Sequence, residues 1–427
     1  MNIVYFTHSL LSCWNHGNAH FLRGVLRELA ACGHQVQAFE PEGNWSLANL
    51  LADHGDAGLD AFRQAYPDLH TRGYGARDDL LQMVDGADLV IVHEWNEPTL
   101  VAALGLLRQG NAGFTLLFHD THHRAVSDPD AIRAFDLSGY DGVLAFGEAL
   151  STVYRRWGWG DRVWTWHEAA DLRHFHPPAE ETDRNGLVWI GNWGDGERTA
   201  ELEDYLLQPT ERAGLPLDIY GVRYPTEAIS LLERYGVAYH GWAPNARAPE
   251  IFARHLATIH VPRRYYTQLL PGIPTIRVFE ALACGIPLLS APWEDNEALF
   301  RPGEDFLFAK DGADMTRHLR ALAADPRFDN SAMDGWAVRA SDCGQEGIHL
   351  RVVGTGQAGA AAAPPVGHGE AARVMTGAAI PEGADAIVMV EDSEVDGDEV
   401  LITGPARPHY IRIRGENLEE GEEGLPA

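Results

Sequence analysis

A carboxylate a turn and a half into a helix, behind a threonine and a run of free backbone N–H groups, is equipped to hold a nucleotide sugar. Residues 271–287 read PGIPTIRVFEALACGIP. Thr275 and the first amides of that helix can cradle a diphosphate at the positive end of the helix dipole, while Glu280 can chelate ribose hydroxyls. The same string also describes an ordinary amphipathic helix, capped by Thr275 and closed by Gly285. Arg198, Arg263 and Arg277 are the cations expected to neutralise a departing diphosphate, or else to form surface ion pairs. Arg198 ends the string WIGNWGDGER, residues 189–198, in which a strand runs into a turn rich in glycine and asparagine. There Asn192 and neighbouring amides can approach a phosphate closely. The turn is neither a G-x-G-x-x-G fingerprint nor a lysine-bearing phosphate loop.

A second set of reactive residues falls where strands are expected to end. Thr7 and His8 follow one apolar run, and the loop beyond holds Trp14, His16 and Gly17. His93-Glu94 follows another, and His119-Asp120-Thr121-His122-His123 a third. His119 or Asp120 could orient an acceptor or act as a general base, and the alternative is a hydrogen-bond network at a sheet edge. A zinc site is not expected, because adjacent His122 and His123 cannot point the same way along a strand or share one helix face.

Three further strings lie near the other end. Residues 328–342 read FDNSAMDGWAVRASD, residues 373–382 RVMTGAAIPE and residues 412–418 RIRGENL. By itself the first is a polar turn with Asx hydrogen bonds, ending at Gly335 before a strand.

The elements that must position these groups follow from hydrophobic periodicity. Strands are predicted at residues 3–6, 36–39, 89–93, 115–119 and 142–146, with a helix at about 18–31, and this alternation implies a parallel, Rossmann-like half. After Pro177-Pro178 and a polar linker the pattern restarts, with strands at 187–191, 217–221, 258–261 and 286–290. Helices are predicted at 197–207, 226–235, 249–255 and 276–284, making a second such half. The expected fold is therefore α/β, two Rossmann-like lobes over residues 1–177 and 178–327, followed by a smaller, mainly β module over 328–427. In that module short β runs at 349–353, 386–390, 400–402 and 410–413 are divided by glycine, and residues 356–369 read as a mobile loop or strap.

Bulk composition narrows the partners. The chain has 427 residues and a formal net charge of -29, with no run of five or six basic residues, so neither nucleic acid nor an anionic membrane is an expected partner. From Asp329 onward acidic residues outnumber basic ones by 18 to 6, which concentrates negative charge in the last quarter. Cys13, Cys32, Cys284 and Cys343 show no C-x-x-C spacing, so no disulfide framework or zinc site is expected and a reduced, cytoplasmic setting follows. No apolar run reaches the ~18 residues of a membrane span.

Residues 1–325 resemble a GT-B glycosyltransferase of the group that includes the CgeB-like and general family-one transferases. The likeness is carried by WNHGNAHFLRG (14–24), HEWN (93–96), FHDTHHR (118–124), TWHEAAD (165–171), WIGNWGD (189–195) and TIRVFEALACGIP (275–287). It implies a nucleotide-sugar donor with Glu280 on the ribose and Thr275 and nearby amides on the phosphates. Many retaining members carry a second glutamate eight positions before the first, and here Gly272 stands there.

Taken in order, the three strings of the last quarter resemble the molybdopterin molybdenumtransferase family, which includes the gephyrin E domain. The resemblance implies that Asp334, Thr376, Glu416 and Asn417 line a site for molybdate and adenylylated molybdopterin, with Mg2+. Members usually have aspartate where Asn417 stands and tyrosine where Trp336 stands. The family's pterin-binding domain is expected after residue 427, so the module reads as partial, open to a homodimer or a separate insertase chain. The leading expectation is a glycosyltransferase with small-molecule substrates fused to this module. The alternatives are molybdenum insertion as the defining activity, or an inactive chimeric product.

Overall fold

The computed structural model describes residues 1–110, 113–179, 184–194, 196–294, 297–323, 330–344, 347–357 and 363–412. The chain divides into two compact units, Met1–Arg320 and Ala321–Ala427.

The first unit contains two parallel sheets. One is built from β1 (Asn2–Phe6), β2 (Gln35–Pro41), β3 (Thr71–Tyr74), β4 (Leu89–His93), β5 (Thr115–Asp120), β6 (Gly142–Ala145) and β7 (Val163–Thr165). Their order is β3-β2-β1-β4-β5-β6-β7. The other comprises β8 (Leu187–Ile190), β9 (Leu217–Tyr220), β10 (Ala238–Tyr239), β11 (Ala257–His260), β12 (Leu288–Ser290) and β13 (Leu307–Phe308), in the order β10-β9-β8-β11-β12-β13. Each sheet thus reverses its winding beside its first strand, between β1 and β4 and between β8 and β11. In open α/β sheets ligands enter at such a reversal, at the carboxyl ends of the strands. The two-lobed α/β expectation is met.

Burial explains why these runs are strands rather than helices. The central strands β5, β8, β11 and β12 are buried along most or all of their length, as sheets covered by helices on both faces require. One side of the first sheet packs Val4, Phe6, Val90, Val92, Leu116 and Phe118 into a core. The other packs Tyr5 and Ile91 against Phe21, Leu22 and Leu26 of helix Ala19–Ala31.

Departures from the periodicity reading are local. The helix expected at 197–207 begins at Thr199–Leu202, widens to a π turn at Glu203–Leu207 and continues as Gln208–Ala213. Pro209 has no amide to donate, and the widened turn lies directly before it. The strands β3 and β7 escaped the reading because TRGY and VWT are short, half-polar edge segments.

In the second unit β14 (Asn330–Ser331) pairs with β21 (Ile411–Arg412). A six-stranded sheet is formed by β15 (Gly335–Val338), β16 (Ile348–Gly356), β17 (Glu370–Val374), β18 (Ala386–Met389), β19 (Ser393–Asp396) and β20 (Glu399–Ile402). Its order is β18-β15-β17-β16-β20-β19, and only β16 and β17 run parallel. Gly335 is required at its position, since a Cβ there would lie 2.2 Å from the Val388 carbonyl oxygen. Trp336, Val338, Leu350, Val388 and Ile402 form the small core. Of the strap expected at 356–369, residues 358–362 lie outside the described residues.

Candidate functional site

The helix Ile276–Ala283 follows Thr275, which occupies the N-cap without a side-chain capping bond. The helix closes at Gly285, whose φ of 64° is the left-handed value that glycine tolerates. Glu168, from the segment after β7, lies at this helix start, where the Ile276 amide favours its charged form. Glu168 is 2% exposed and its Oε1 has no partner among the described residues. Its pKa is raised to about 8, chiefly by burial and in smaller part by the Glu280 charge, against the opposing effects of the Ile276 amide and Arg277. A carboxyl group therefore stands where the sequence suggested a diphosphate.

Glu280 itself is fully buried. Its Oε1 lies 2.9 Å from Nδ1 of His20, and Arg277 pairs with Oε2. The Asp171 amide donates to His20 Nε2 at 2.9 Å, so that nitrogen bears the lone pair and Nδ1 carries the proton given to Glu280. His20 also stacks on Phe175, with 3.8 Å between ring centroids. A buried bridge thus runs from helix Ala19–Ala31 to the connecting segment and to helix Ile276–Ala283.

The three arginines singled out in the sequence are all engaged within the chain. Arg277 holds Glu280, and Arg263 pairs with Glu197. Arg198, whose pKa burial lowers to about 10, donates to the carbonyls of Asn192 and Val261. The Asn192 side chain accepts from the Val222 amide at 2.9 Å and donates to Asn15, joining the turn after β8 to the loop after β1.

Over the carboxyl ends of β1, β4 and β5 a second network is buried. His119 is unexposed, bonded through Nδ1 to the Tyr5 hydroxyl, with Nε2 unpartnered among the described residues, and burial lowers its pKa to about 3. Asp120 accepts from Tyr154 Oη at 2.7 Å and from the His122 amide at 3.0 Å. Burial raises its pKa to about 6, against those two bonds. Glu94 is raised to about 8, first by burial, although Arg124 donates to it at 2.6 Å. Thr121 Oγ1 donates to Glu94 at 3.2 Å, so His93 Nε2, 3.0 Å away, must be the donor to that hydroxyl. Both ring nitrogens of His16 are buried without partners among the described residues, 5.2 Å ring to ring from His8.

The structure therefore gathers Thr275, Arg277 and Glu280 on one helix, and His119 and Asp120 on one strand. The loops around them meet through Asn15–Asn192, His20–Glu280 and the stack of His123 on Tyr265 at 3.8 Å. His20 and Glu168 carried no assigned role in the sequence reading. Both lie inside strings that bore the glycosyltransferase resemblance, and that was the available signal.

In the second unit Asp334 Oδ1 accepts from the Thr376 amide at 2.6 Å and from its hydroxyl at 2.9 Å. Two of the three C-terminal strings are thereby joined at the surface. Trp336 donates from Nε1 to Ser393 at 2.8 Å. Glu416 and Asn417 lie outside the described residues. Among the described residues no three His, Cys, Asp or Glu side chains are grouped so as to hold a metal ion.

Residues 198–342 match the family model described as glycosyl transferase-like, and residues 307–427 match that of the MoeA N-terminal region, domains I and II. The chain therefore joins a glycosyltransferase-like segment to a segment similar to the MoeA N-terminal region. The molybdopterin molybdenumtransferase of Staphylococcus aureus strain Mu50 is 40% identical over 102 residues, covering 23% of this chain and 24% of that protein. Its Haemophilus influenzae counterpart is 41% identical over 99 residues, with the same two coverages. The chain thus spans about a quarter of the length of these curated relatives.

Among solved structures, sucrose-phosphate synthase of Thermosynechococcus elongatus aligns with a TM-score of 0.51 at 15% identity, over 76% of this chain and 90% of that one. An alpha-glucosyltransferase in complex with UDP and a 13-mer DNA aligns at 0.51 and 12%, over 75% and 89%. At such identities the likeness is one of fold, the GT-B arrangement of two parallel sheets. Among the described residues no helix is long and apolar enough to cross a membrane.

Proposed function

We propose that the first unit transfers a glycosyl group from a nucleotide-sugar donor to an acceptor hydroxyl. The reading is carried by one observation: the glycosyl transferase-like match spans residues 198–342 and so includes helix Ile276–Ala283 with its buried glutamate. In this reading the donor diphosphate lies against Thr275 and the first amides of that helix, with Asn192, Arg198, Arg263 and Arg277 completing its surroundings. Glu280 takes the ribose hydroxyls, exchanging its bond from His20 for theirs. Asp120 receives the acceptor proton, because a group near 6 is better matched to neutral pH than His119 near 3. His119 then orients the acceptor through its open Nε2.

The test is a thermal-shift panel of nucleoside diphosphates with wild type and Glu280→Ala. A ligand at one hundred times its dissociation constant adds about 2.7 kcal/mol. Stabilisation of wild type by one diphosphate, lost in Glu280→Ala, is the expected result. Absence of any shift across the panel, with no heat of binding by calorimetry, refutes the proposal.

A second reading concerns the tail and is favoured by its 40% identity to molybdopterin molybdenumtransferases. In it Asp334, Thr376, Glu416 and Asn417 contribute to a site for molybdate entering adenylylated molybdopterin, with a second copy or a separate insertase chain as partner. Rescue of an insertase-deficient strain by the full chain is the expected outcome. Failure of rescue, together with a monomeric mass by light scattering, removes this reading and leaves the first intact.

A further inference from the structure

Trp95 follows Glu94 at the carboxyl end of β4 and keeps 40% of its surface exposed. It is held in place nonetheless. The Arg124 guanidinium lies 3.9 Å from its ring centroid, His122 meets it edge-on at 5.1 Å, and His8 is 6.2 Å away. Arg124 also donates to the Glu94 carbonyl and to its carboxyl group, both at 2.6 Å, which fixes the guanidinium over the indole.

The remaining polar groups around this indole are uncharged at neutral pH. Burial, followed by the Arg124 charge, lowers His8 to about 4, and burial likewise pushes His16 and His122 well down. His122 Nδ1 and both nitrogens of His16 are buried without partners among the described residues, which leaves hydrogen-bonding capacity open. A purely apolar ligand would gain nothing from those nitrogens. A phosphorylated or nucleic-acid ligand would meet a chain of net charge -29. A pyranose fits both demands, with an apolar C–H face for an aromatic ring and an edge of hydroxyls for imidazoles.

We propose that Trp95 is a stacking platform for an uncharged carbohydrate acceptor, whose hydroxyls are bound by the histidines beside it. The inference rests on the glycosyl-transfer reading and supplies the acceptor class that reading lacks. Trp95 is a binding and specificity residue, not a proton-transfer group.

The test is saturation-transfer NMR on the full chain with UDP present. The probes are methyl β-D-glucopyranoside, methyl β-D-galactopyranoside, methyl β-D-glucuronide and a short oligothymidylate. At least one neutral glycoside is expected to receive saturation on its ring protons. Its affinity should fall about tenfold in Trp95→Ala and recover in part in Trp95→Phe, which keeps an aromatic face. Equal affinity in wild type and Trp95→Ala overturns the inference, as does preference for the glucuronide or the oligonucleotide. If UDP binds and no neutral glycoside does, the inference falls alone. If glycosides bind at Trp95 while no nucleoside diphosphate binds anywhere, the sugar site stands and the transfer reading falls.

Discussion

Replacing Glu168 by glutamine isolates the energetic consequence of burying a carboxyl group at the start of helix Ile276–Ala283. The group ionises near 4.5 when solvated and at about 8 in the fold. A raised pKa means that the folded state holds a proton the unfolded chain has released. The associated stability is complete below pH 4.5, declines as pH rises, and is lost once pH passes about 8. Within that window the slope is about 1.4 kcal/mol per pH unit, so between pH 5.5 and 7.5 wild type should lose about 2–3 kcal/mol through this residue. The side chain is fully buried, so no solvent screening reduces the effect. Glutamine keeps the shape and a hydrogen-bonding group but has no proton to lose. Subtracting variant from wild type also cancels Glu94 and Asp120, whose raised values push stability the same way. Scanning calorimetry at the two pH values should show Glu168→Gln gaining on wild type by roughly 5 °C as pH rises. A gap that stays constant with pH, or that closes as pH rises, refutes the placement of this carboxyl group.

A diphosphate that displaces Glu168 into solvent makes that group release its proton, so affinity for a nucleoside diphosphate should rise with pH up to about 8, and Glu168→Gln should abolish the trend in calorimetric titration. His20→Ala should destabilise the first unit by about 1–3 kcal/mol, measured by urea titration, since it leaves the buried Glu280 with one partner fewer. Asp120→Asn should lower kcat of glycosyl transfer by 100-fold or more with little change in diphosphate affinity, and an unchanged kcat would remove Asp120 as the base. Asp334→Ala should cost about 1–2 kcal/mol in the second unit, read as a lower unfolding temperature of its transition, because the Thr376 amide and hydroxyl lose their acceptor.

What the sequence could disclose was set by the range of each interaction. Apolar runs such as LVIVH at Leu89–His93 and LVWI at Leu187–Ile190 are local signals, and they placed the central strands of both sheets to within a residue or two, while the short strands β3, β7, β10 and β13 carried no such signal. Clustering of His and Asp after such runs is equally local, and the structure has His119 and Asp120 at the end of β5. Partner choice is not local. Nothing in a one-dimensional pattern connects His20 with Glu280, which are 260 positions apart, or carries Glu168 to an amide at Ile276. Capping rules look one to three residues away and so point to Thr275, which makes no capping bond, whereas the carboxyl group at this helix start comes from another segment. Arginines expected at a phosphate were legible as cations, but their engagement by Glu197, Glu280 and two carbonyls was not.

These engagements bear on how a donor would enter. Glu280 has no exposed surface, and His20, which holds it, is itself fixed by the Asp171 amide and by stacking on Phe175. A ribose can reach Glu280 only if that bridge opens, and a diphosphate can reach the helix start only if Glu168 withdraws. Both obstacles come from the first sheet's side of the fold, His20 on helix Ala19–Ala31 and Glu168 just beyond β7. One displacement of the two sheets relative to each other would remove both, replacing His20 by ribose hydroxyls and the protonated Glu168 by a diphosphate. The exchange conserves hydrogen bonds at Glu280 and adds charge complementarity at the helix dipole, so donor binding can favour the open arrangement without leaving a buried group unpaired. On this argument a substitution that weakens the bridge, such as His20→Ala, lowers the stability of the empty protein and raises its affinity for donor. Loss of both stability and affinity would instead mean that His20 helps to hold the nucleotide.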